Sequence, residues 1–117
     1  MELEGILPQL DKYVAMVQEK NNEYFKVMNY TFADPPVVKV DGGKKYARVV
    51  KVDQLNGSRS VHTFVNLETG DILKSGGWSK PQKNGVRGNI FADDLGANRV
   101  NEHGANYKYN IWHTLDL

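Results

Sequence analysis

The chain contains no cysteine among its 117 residues. Disulfide bonds, thiolate metal sites and cysteine nucleophiles are therefore excluded, and packing alone has to hold the fold. Charge of one sign is not in excess either, because 15 lysines and arginines balance 14 aspartates and glutamates, for a formal net charge of +1. Any binding of nucleic acid must then come from a local basic patch and not from the charge of the whole molecule.

Long apolar runs and a basic N-terminus are also missing. The first residues, MELEGILPQLDKY, are acidic, and their apolar positions are interrupted by polar ones. We therefore expect neither a signal peptide nor a membrane span, and no membrane partner. The length suits one hydrophobic core, so we expect residues 1–117 to form a single domain.

The motifs of the large catalytic families are absent as well. The chain has no G-x-S-x-G, H-E-x-x-H, G-x-x-x-x-G-K-[ST] or G-x-G-x-x-G, so we expect a protein that is not an enzyme and carries no cofactor. Its three histidines, His62, His103 and His113, are widely spaced, and we predict no metal site. His62 and Asp71 would face each other across a hairpin. They would form an acid–base pair or only satisfy hydrogen bonds.

Apolar periodicity predicts one helix followed by short strands. Apolar residues recur every three or four positions from Pro8 to Val27, which predicts a helix, although Asn21 and Asn22 would favour a bend or an end there. The predicted fold is α+β, with the N-terminal helix packed on a four- to five-stranded antiparallel meander sheet. The predicted strands are 37–40, 45–52, 61–66, 71–74 and 107–111.

Arg48 stands out within the second predicted strand. By alternation Tyr46, Arg48, Val50 and Val52 share one face, which we predict to be the inward one. Arg48 would then be a charged residue on an otherwise apolar face. Two interpretations remain open: the arginine belongs to a structural ion pair, or it is aimed at an anionic ligand lying on the sheet.

Residues 61–91 form the central stretch, a predicted hairpin that continues into a basic loop with several glycines. No acidic residue lies between Ile72 and Ala92. Glycine backbones let N–H groups approach a ligand closely, and with nearby cations Gly76, Gly77, Gly85 and Gly88 predict an anion cradle. Trp78 would either plug the loop onto the core or stack on a base. The candidate ligand-binding residues are Arg48, Lys74, Trp78, Lys80, Lys83, Arg87 and Asn89.

The same stretch carries a resemblance to known sequences. The matching residues are Arg59-Ser60-Val61-His62, Phe64-Val65, Thr69-Gly70-Asp71-Ile72-Leu73-Lys74, Trp78, Lys80-Pro81, Lys83 and Arg87-Gly88-Asn89-Ile90-Phe91. With these residues the chain is similar to a family of short proteins encoded by tailed bacteriophages and found in marine viral sequences, although Ser75-Gly76-Gly77 departs from the usual alanine or proline with serine. The family has no assigned activity, so the resemblance implies a phage origin, in the cytoplasm of an infected bacterial host, and no reaction.

Two functions of different classes are compatible with these residues. The first is a non-catalytic binding module whose basic glycine-rich loop holds a phosphate-bearing ligand, nucleic acid or nucleotide. The alternative is a protein-interaction or host-inhibitor module that docks on a host or phage protein through the aromatic strand at 107–111, next to Trp112. An edge strand that shows Trp112 to solvent would be adhesive, and we expect a homodimer. Asp93 and Asp94 would bind a divalent cation or begin a helix or turn.

Overall fold

The fold consists of one long helix and one antiparallel sheet. A computed structural model of the chain describes residues 3–29, 34–82 and 86–105, with helix side chains from residue 5 onward. Helix α1 precedes the sheet, and a short 3₁₀ helix, Ala97–Arg99, follows it. The elements are α1 (Leu3–Val27), β1 (Val37–Val40), β2 (Tyr46–Val52), β3 (Arg59–Asn66), β4 (Asp71–Leu73) and β5 (Gly88–Asn89).

Each strand pairs antiparallel with the next one along the chain, in the spatial order β1-β2-β3-β4-β5. The predicted α+β class, with an N-terminal helix and an antiparallel meander, is therefore confirmed. The two-residue strand β5, and not the segment 107–111, is the fifth strand of the described sheet. The segment 107–111, together with Trp112, lies outside the described residues.

Helix α1 starts five residues before the predicted Pro8 and continues without interruption through Asn21 and Asn22. The side chain of Asn21 is buried and its Nδ2 donates to the carbonyl of Val17, 2.9 Å away. A buried amide with its hydrogen bond satisfied is tolerated in a helix interior. The expected bend is absent because this bond lets Asn21 occupy an apolar position of the stripe.

The helix packs on one face of the sheet through the positions next to Arg48. Ala47 and Val49 of β2 belong to the main core, whereas Arg48 does not. The predicted inward face of β2 was therefore wrong: the Tyr46, Arg48, Val50, Val52 face is turned away from α1. The main core comprises Ile6, Leu10, Tyr13, Val17, Val38, Ala47, Val49, Val65, Ile72, Ile90 and Val100.

A β-bulge interrupts β3 at His62. Thr63 pairs with Val49 while Val61 pairs with Val50, so His62 is an extra residue that no residue of β2 opposes. His62 and its neighbour Thr63 are both buried, and the His62 ring lies edge-on to Tyr13 of α1, 6.5 Å between centroids. Both residues therefore point toward the helix, and strict alternation along β3 fails at this position.

The turn between β1 and β2 depends on a glycine. Gly43 has a φ of 114°, and a Cβ atom at this position would overlap the carbonyl oxygen of Tyr46. In the turn between β2 and β3, Gly57 also has a positive φ, of 73°, but a Cβ there would meet no atom within 4 Å. Only the first turn excludes a side chain by direct contact.

The outer edge of β1 is covered in part by a side chain of the helix. Oε1 of Gln18 accepts a hydrogen bond from the Val38 amide, and Nε2 of Gln18 donates to the carbonyl of Pro36, both at 2.8 Å. The two groups are two residues apart and point to the same side of the strand. The Gln18 amide therefore takes the place that a neighbouring strand would occupy.

Residues 91–105 run over the sheet as turns, the 3₁₀ helix and an isolated bridge between Val100 and Ala105. The long loop predicted at 93–104 therefore contains one short helical turn. No helix in the described part of the chain combines the length and the apolar character that a membrane crossing requires.

Candidate functional site

The sheet face opposite α1 has a small apolar floor. Val50, Phe64 and Leu73 are buried, yet none of them belongs to the core beneath the helix. Phe64 pairs with Arg48 on one side and with Leu73 on the other, so the three residues form a row on this face. Arg48 therefore does lie beside apolar residues, as predicted, but on the face away from the helix.

A short hairpin loop that follows β4 presents Trp78. The loop is closed by hydrogen bonds from the Gln82 amide to the Lys74 carbonyl, 2.8 Å, and from the Gly76 amide to the Lys80 carbonyl, 2.6 Å. Trp78 stands at its tip with 42% of its surface exposed. It is therefore not the core plug that one sequence-based interpretation proposed.

Two arginines converge on the Trp78 ring from different strands. The Cζ atom of Arg48 lies 4.7 Å from the ring centroid, and that of Arg59 lies 5.3 Å from it. Both distances are within the range of a cation–π interaction. Nε of Arg48 also donates to the carbonyl of Trp78, 2.7 Å away, which holds the loop tip against β2.

Asp41 completes the arrangement through two different atoms. Its carboxylate Oδ2 accepts a hydrogen bond from Nη1 of Arg59 at 2.6 Å, and its main-chain carbonyl accepts one from Nη1 of Arg48 at 2.8 Å. The Asp41 amide in turn donates to the Arg48 carbonyl, 2.8 Å away. We call the set Asp41, Arg48, Arg59 and Trp78 the arginine–tryptophan cluster.

The cluster carries an excess of positive charge. Among the described residues, Arg48 contacts two carbonyl groups and two aromatic rings but no carboxylate. The predicted ion-pair interpretation of Arg48 is therefore wrong for the described part of the chain, and its guanidinium charge is not neutralised there. Arg59 and Asp41 form the single ion pair of the cluster, with side chains 49% and 28% exposed.

Among the described residues, the contacts given above for the cluster do not include the other predicted site residues. Lys74 lines a cleft of about 510 Å³ together with His62 and His103. Arg87 is buried, and its amide donates to the Ile72 carbonyl at 2.8 Å. Lys80 is exposed at the base of the Trp78 loop. Lys83 lies outside the described residues. Of the predicted residues that the structure describes, Arg48 and Trp78 are shown in direct contact.

Asn89 has a structural role at the turn that leads into β4. Its Nδ2 donates to the Thr69 carbonyl at 3.0 Å and to Oδ1 of Asp71 at 2.9 Å, while its Oδ1 accepts from the Phe91 amide at 2.8 Å. These three bonds use most of the capacity of the amide. Asn89 thus ties β5 to β4, and we do not include it in the site.

The predicted anion cradle does not form at Gly76 and Gly77. The Gly76 amide is bonded to Lys80, and the Gly77 amide donates to Oγ of Ser75 at 3.2 Å. Gly88 lies within β5, and Gly85 is outside the described residues. Main-chain amides that already have partners inside the loop cannot cradle a ligand, so in the described part of the loop Gly76 and Gly77 do not supply anion binding.

His62 is engaged in a buried hydrogen-bond chain and not with Asp71. Its Nε2 must donate to the Asn101 carbonyl, 2.8 Å away, so in neutral His62 Nδ1 accepts from the Thr63 hydroxyl at 3.0 Å. The Thr63 oxygen then accepts from the Tyr13 hydroxyl at 2.7 Å. Burial lowers the pKa of His62 from 6.5 to about 4, assisted by the charges of Lys51, His103 and Lys20 and opposed by the Asn101 bond. Of the two interpretations of His62, the one in which it only satisfies hydrogen bonds describes it, and the pair with Asp71 does not form.

Asp94 serves the turn before the 3₁₀ helix. Its two carboxylate oxygens accept the amides of Gly96 at 2.9 Å and of Asn98 at 3.0 Å. These amide bonds, that of Asn98 first, lower the pKa of the carboxyl. Of the two sequence-based interpretations, the turn-forming one describes Asp94.

Sequence reasoning missed Arg59 and Asp41 as members of the site. Arg59 has the same odd-numbered parity as Thr63 and Val65, which face the helix, so simple alternation places it on that side. The bulge at His62 shifts this parity and brings Arg59 to the face of Arg48. Asp41 belongs to an Asp-Gly-Gly sequence that is typical of a hairpin turn and carries no sign of a site. A bulge leaves no clear signal in a single sequence, so Arg59 could not have been placed from it.

Fold and site together define an α+β protein with an arginine–tryptophan cluster on the helix-free face of an antiparallel meander. A family model matches residues 5–110, and the chain belongs to that family, which is described as a family of unknown function (DUF7717). No curated protein and no solved structure matches the chain. The site therefore has to be interpreted from its own chemistry.

Proposed function

We propose that the protein is a non-catalytic binding module for a phosphate-bearing ligand, either nucleic acid or a nucleotide, and that the arginine–tryptophan cluster is its site. One observation carries this proposal. Two guanidinium groups meet on one exposed indole, and among the described residues only one of them contacts a carboxylate. The proposed site is therefore smaller than the basic glycine-rich loop predicted from the sequence: it consists of one tryptophan of that loop and two arginines of the sheet.

The chemistry of these groups suits a phosphate attached to a base. A guanidinium group presents N–H donors in a plane that matches phosphate oxygens, and it keeps its charge at any physiological pH. Among the described residues Arg59 donates a single hydrogen bond, and Arg48 uses only Nε and Nη1, so both have donors left for a ligand. Bases stack on indole rings and on guanidinium planes alike.

Fluorescence anisotropy of a fluorescein-labelled thymidine decamer tests the proposal, with unlabelled ADP as competitor. We expect Arg48→Gln and Arg59→Gln each to weaken binding about 5- to 10-fold, because each removes a charge-assisted phosphate contact. Each should also lower the slope of log affinity against log salt by about 0.7. If ADP displaces the labelled decamer at concentrations similar to those of unlabelled decamer, the site is a nucleotide site. If the decamer binds and ADP does not displace it, the site is a nucleic-acid site.

Lys12→Gln is the matched control, because it removes one positive charge from an exposed position of α1, the helix on the opposite side of the sheet. It should change the affinity less than about twofold at physiological salt, where charges beyond about 8 Å are screened. Arginine variants that bind as well as Lys12→Gln, with melting temperatures unchanged, would refute the assignment of the site. A wild-type protein that binds neither probe would refute the function.

The biological setting is a separate proposal. The motif resemblance to short tailed-phage proteins supports a phage origin and action in the cytoplasm of an infected bacterium. The protein-interaction alternative and the homodimer both depended on the aromatic residues near Trp112, which lie outside the described residues, so they stay predictions. Sedimentation equilibrium of the wild type and of Trp112→Ala would test the dimer, because only a Trp112-dependent dimer would dissociate in the variant.

A further inference from the structure

The carboxylate of Asp41 lies where an anionic group is held by an arginine of the cluster. Its Oδ2 is 2.6 Å from Nη1 of Arg59, and it is the only carboxylate that contacts the cluster's arginines among residues 3–29, 34–82 and 86–105. Arg59 at the same time stacks on Trp78. An internal carboxylate that pairs with a site arginine occupies the position that an external anion would take.

We propose that the Asp41 carboxylate is an internal placeholder for the ligand's phosphate, and that a phosphate group displaces it from Arg59 on binding. This inference rests on the proposed function and assigns the phosphate subsite within it. The subsite is centred on Arg59, whose Nη1 holds the Asp41 carboxylate, and Arg48 lies beside it against the same indole. The ligand class it takes is a phosphate ester, with the base directed toward Trp78.

The side chain of Asp41 can leave without disturbing the turn. The main chain of Asp41 is bonded to Arg48 in both directions: its amide donates to the Arg48 carbonyl, and its carbonyl accepts from the Arg48 guanidinium, each at 2.8 Å. These bonds involve no carboxylate atom. Rotation of the side chain therefore breaks only the ion pair with Arg59, while Arg48 stays in place.

The displacement costs little, and the charge of the phosphate offsets it. The pair is about half-exposed on the Arg59 side, and ion pairs that water reaches contribute little to stability. A phosphate brings equal or greater negative charge and more acceptor oxygens than a carboxylate. As long as Asp41 stays ionised near the ligand, however, it also repels the phosphate. Asp41 thus lowers the affinity of the site and favours ligands with a full phosphate charge.

Titration of Asp41→Asn with the same labelled decamer and with ADP tests the placeholder. The variant should bind about threefold to tenfold more tightly than wild type, because it loses the competing ion pair and the repulsion. The substitution leaves both main-chain bonds to Arg48 in place. Adding Arg59→Gln to Asp41→Asn should cancel the gain. Asp11→Asn, at an exposed position of α1, removes the same charge and should change the affinity less than about twofold.

The outcomes separate the inference from the proposed function. If wild type and Asp41→Asn bind with equal affinity, or the variant binds more weakly, the placeholder is refuted and the binding function stands. If neither protein binds either probe, the binding function is refuted and the placeholder with it. A gain in Asp41→Asn that survives Arg59→Gln would refute the assignment of the subsite to Arg59. Asp41→Ser provides a second variant should Asp41→Asn fold poorly, and it should show the same gain.

Discussion

Three buried polar residues of this protein form one directed chain of hydrogen bonds. Because the Asn101 carbonyl can only accept, neutral His62 has its proton on Nε2. Thr63 must then donate to Nδ1 of His62, and Tyr13 must donate to Thr63. The middle member, Thr63, both donates and accepts. Removing the Thr63 hydroxyl therefore takes a hydrogen-bond partner from both Tyr13 and His62, whereas removing the Tyr13 hydroxyl takes one partner from Thr63 alone.

Thr63→Val should destabilise the protein more than Tyr13→Phe. Valine leaves the Tyr13 hydroxyl and Nδ1 of His62 buried without partners, for a loss of about 2–4 kcal/mol in the free energy of unfolding. Tyr13→Phe removes one donor and leaves Thr63 bonded to His62, for a loss of about 1 kcal/mol. Urea denaturation of the two variants measures the difference. Equal losses would contradict the directed chain.

At the scale of elements, most of the architecture follows from local signals. The four strands, predicted from alternation and turn residues, lie close to their observed bounds because each signal lies within a few residues. The helix was predicted from its apolar spacing with the correct end at Val27, but it starts five residues earlier than predicted. The face of β2 that packs on α1 was predicted wrongly, since Ala47 and Val49 give a weaker apolar signal in the sequence than Tyr46 and Val50. The meeting of Arg48, Arg59 and Trp78 joins residues 11 to 30 positions apart through a bulge and a loop, which no local pattern encodes.

The β1–β2 turn should be far less tolerant of substitution than the β2–β3 turn. Gly43→Ala forces a Cβ into the Tyr46 carbonyl at a positive φ, and we expect a loss of at least about 3 kcal/mol. Gly57→Ala carries only the conformational cost of a positive φ, about 1–2 kcal/mol. Thermal unfolding followed by circular dichroism compares them. Because the main chain of this turn holds the Arg48 guanidinium through the Asp41 carbonyl, the first variant should also weaken decamer binding.

At the scale of the whole molecule, the two faces of the sheet have different chemistry. The helix side holds the main core and the neutral His62 chain, and the other side holds a small apolar row beneath charged residues. If the proposed function holds, stability and binding depend largely on opposite faces of the sheet. Variants of the arginine–tryptophan cluster are expected to change affinity more than the melting temperature.

The molecule should lose stability as the pH falls from 6.5 toward 4. Unfolded His62 takes up a proton near its ordinary pKa of 6.5, whereas folded His62 does so only near 4, so the unfolded state binds more protons in this window. The free energy of unfolding should fall by up to about 1.4 kcal/mol per pH unit from this group. Above pH 6.5 both states are neutral at His62, and its stabilisation is complete.

Urea denaturation at pH 7, 6, 5 and 4.5 measures this slope, and His62→Gln should reduce it over the same window. The absolute stability of that variant is not the readout, since glutamine also loses hydrogen bonds. The imidazole proton resonances of His62 should stay unshifted down to about pH 5 in the folded protein. A His62 that titrates near 6.5 in the folded state would contradict the buried neutral form.

The Gln18 side-chain amide affects how readily the protein aggregates at high concentration. Strand β1 ends the described sheet and shows three of its four residues to solvent, which is the arrangement that lets one molecule recruit strands from another. The Gln18 side-chain amide forms hydrogen bonds with the Val38 amide and the Pro36 carbonyl, which point outward from this edge. A strand from another molecule could pair with this edge only after the Gln18 hydrogen bonds break. Helix α1 therefore opposes fibre growth from β1 in addition to packing on the sheet.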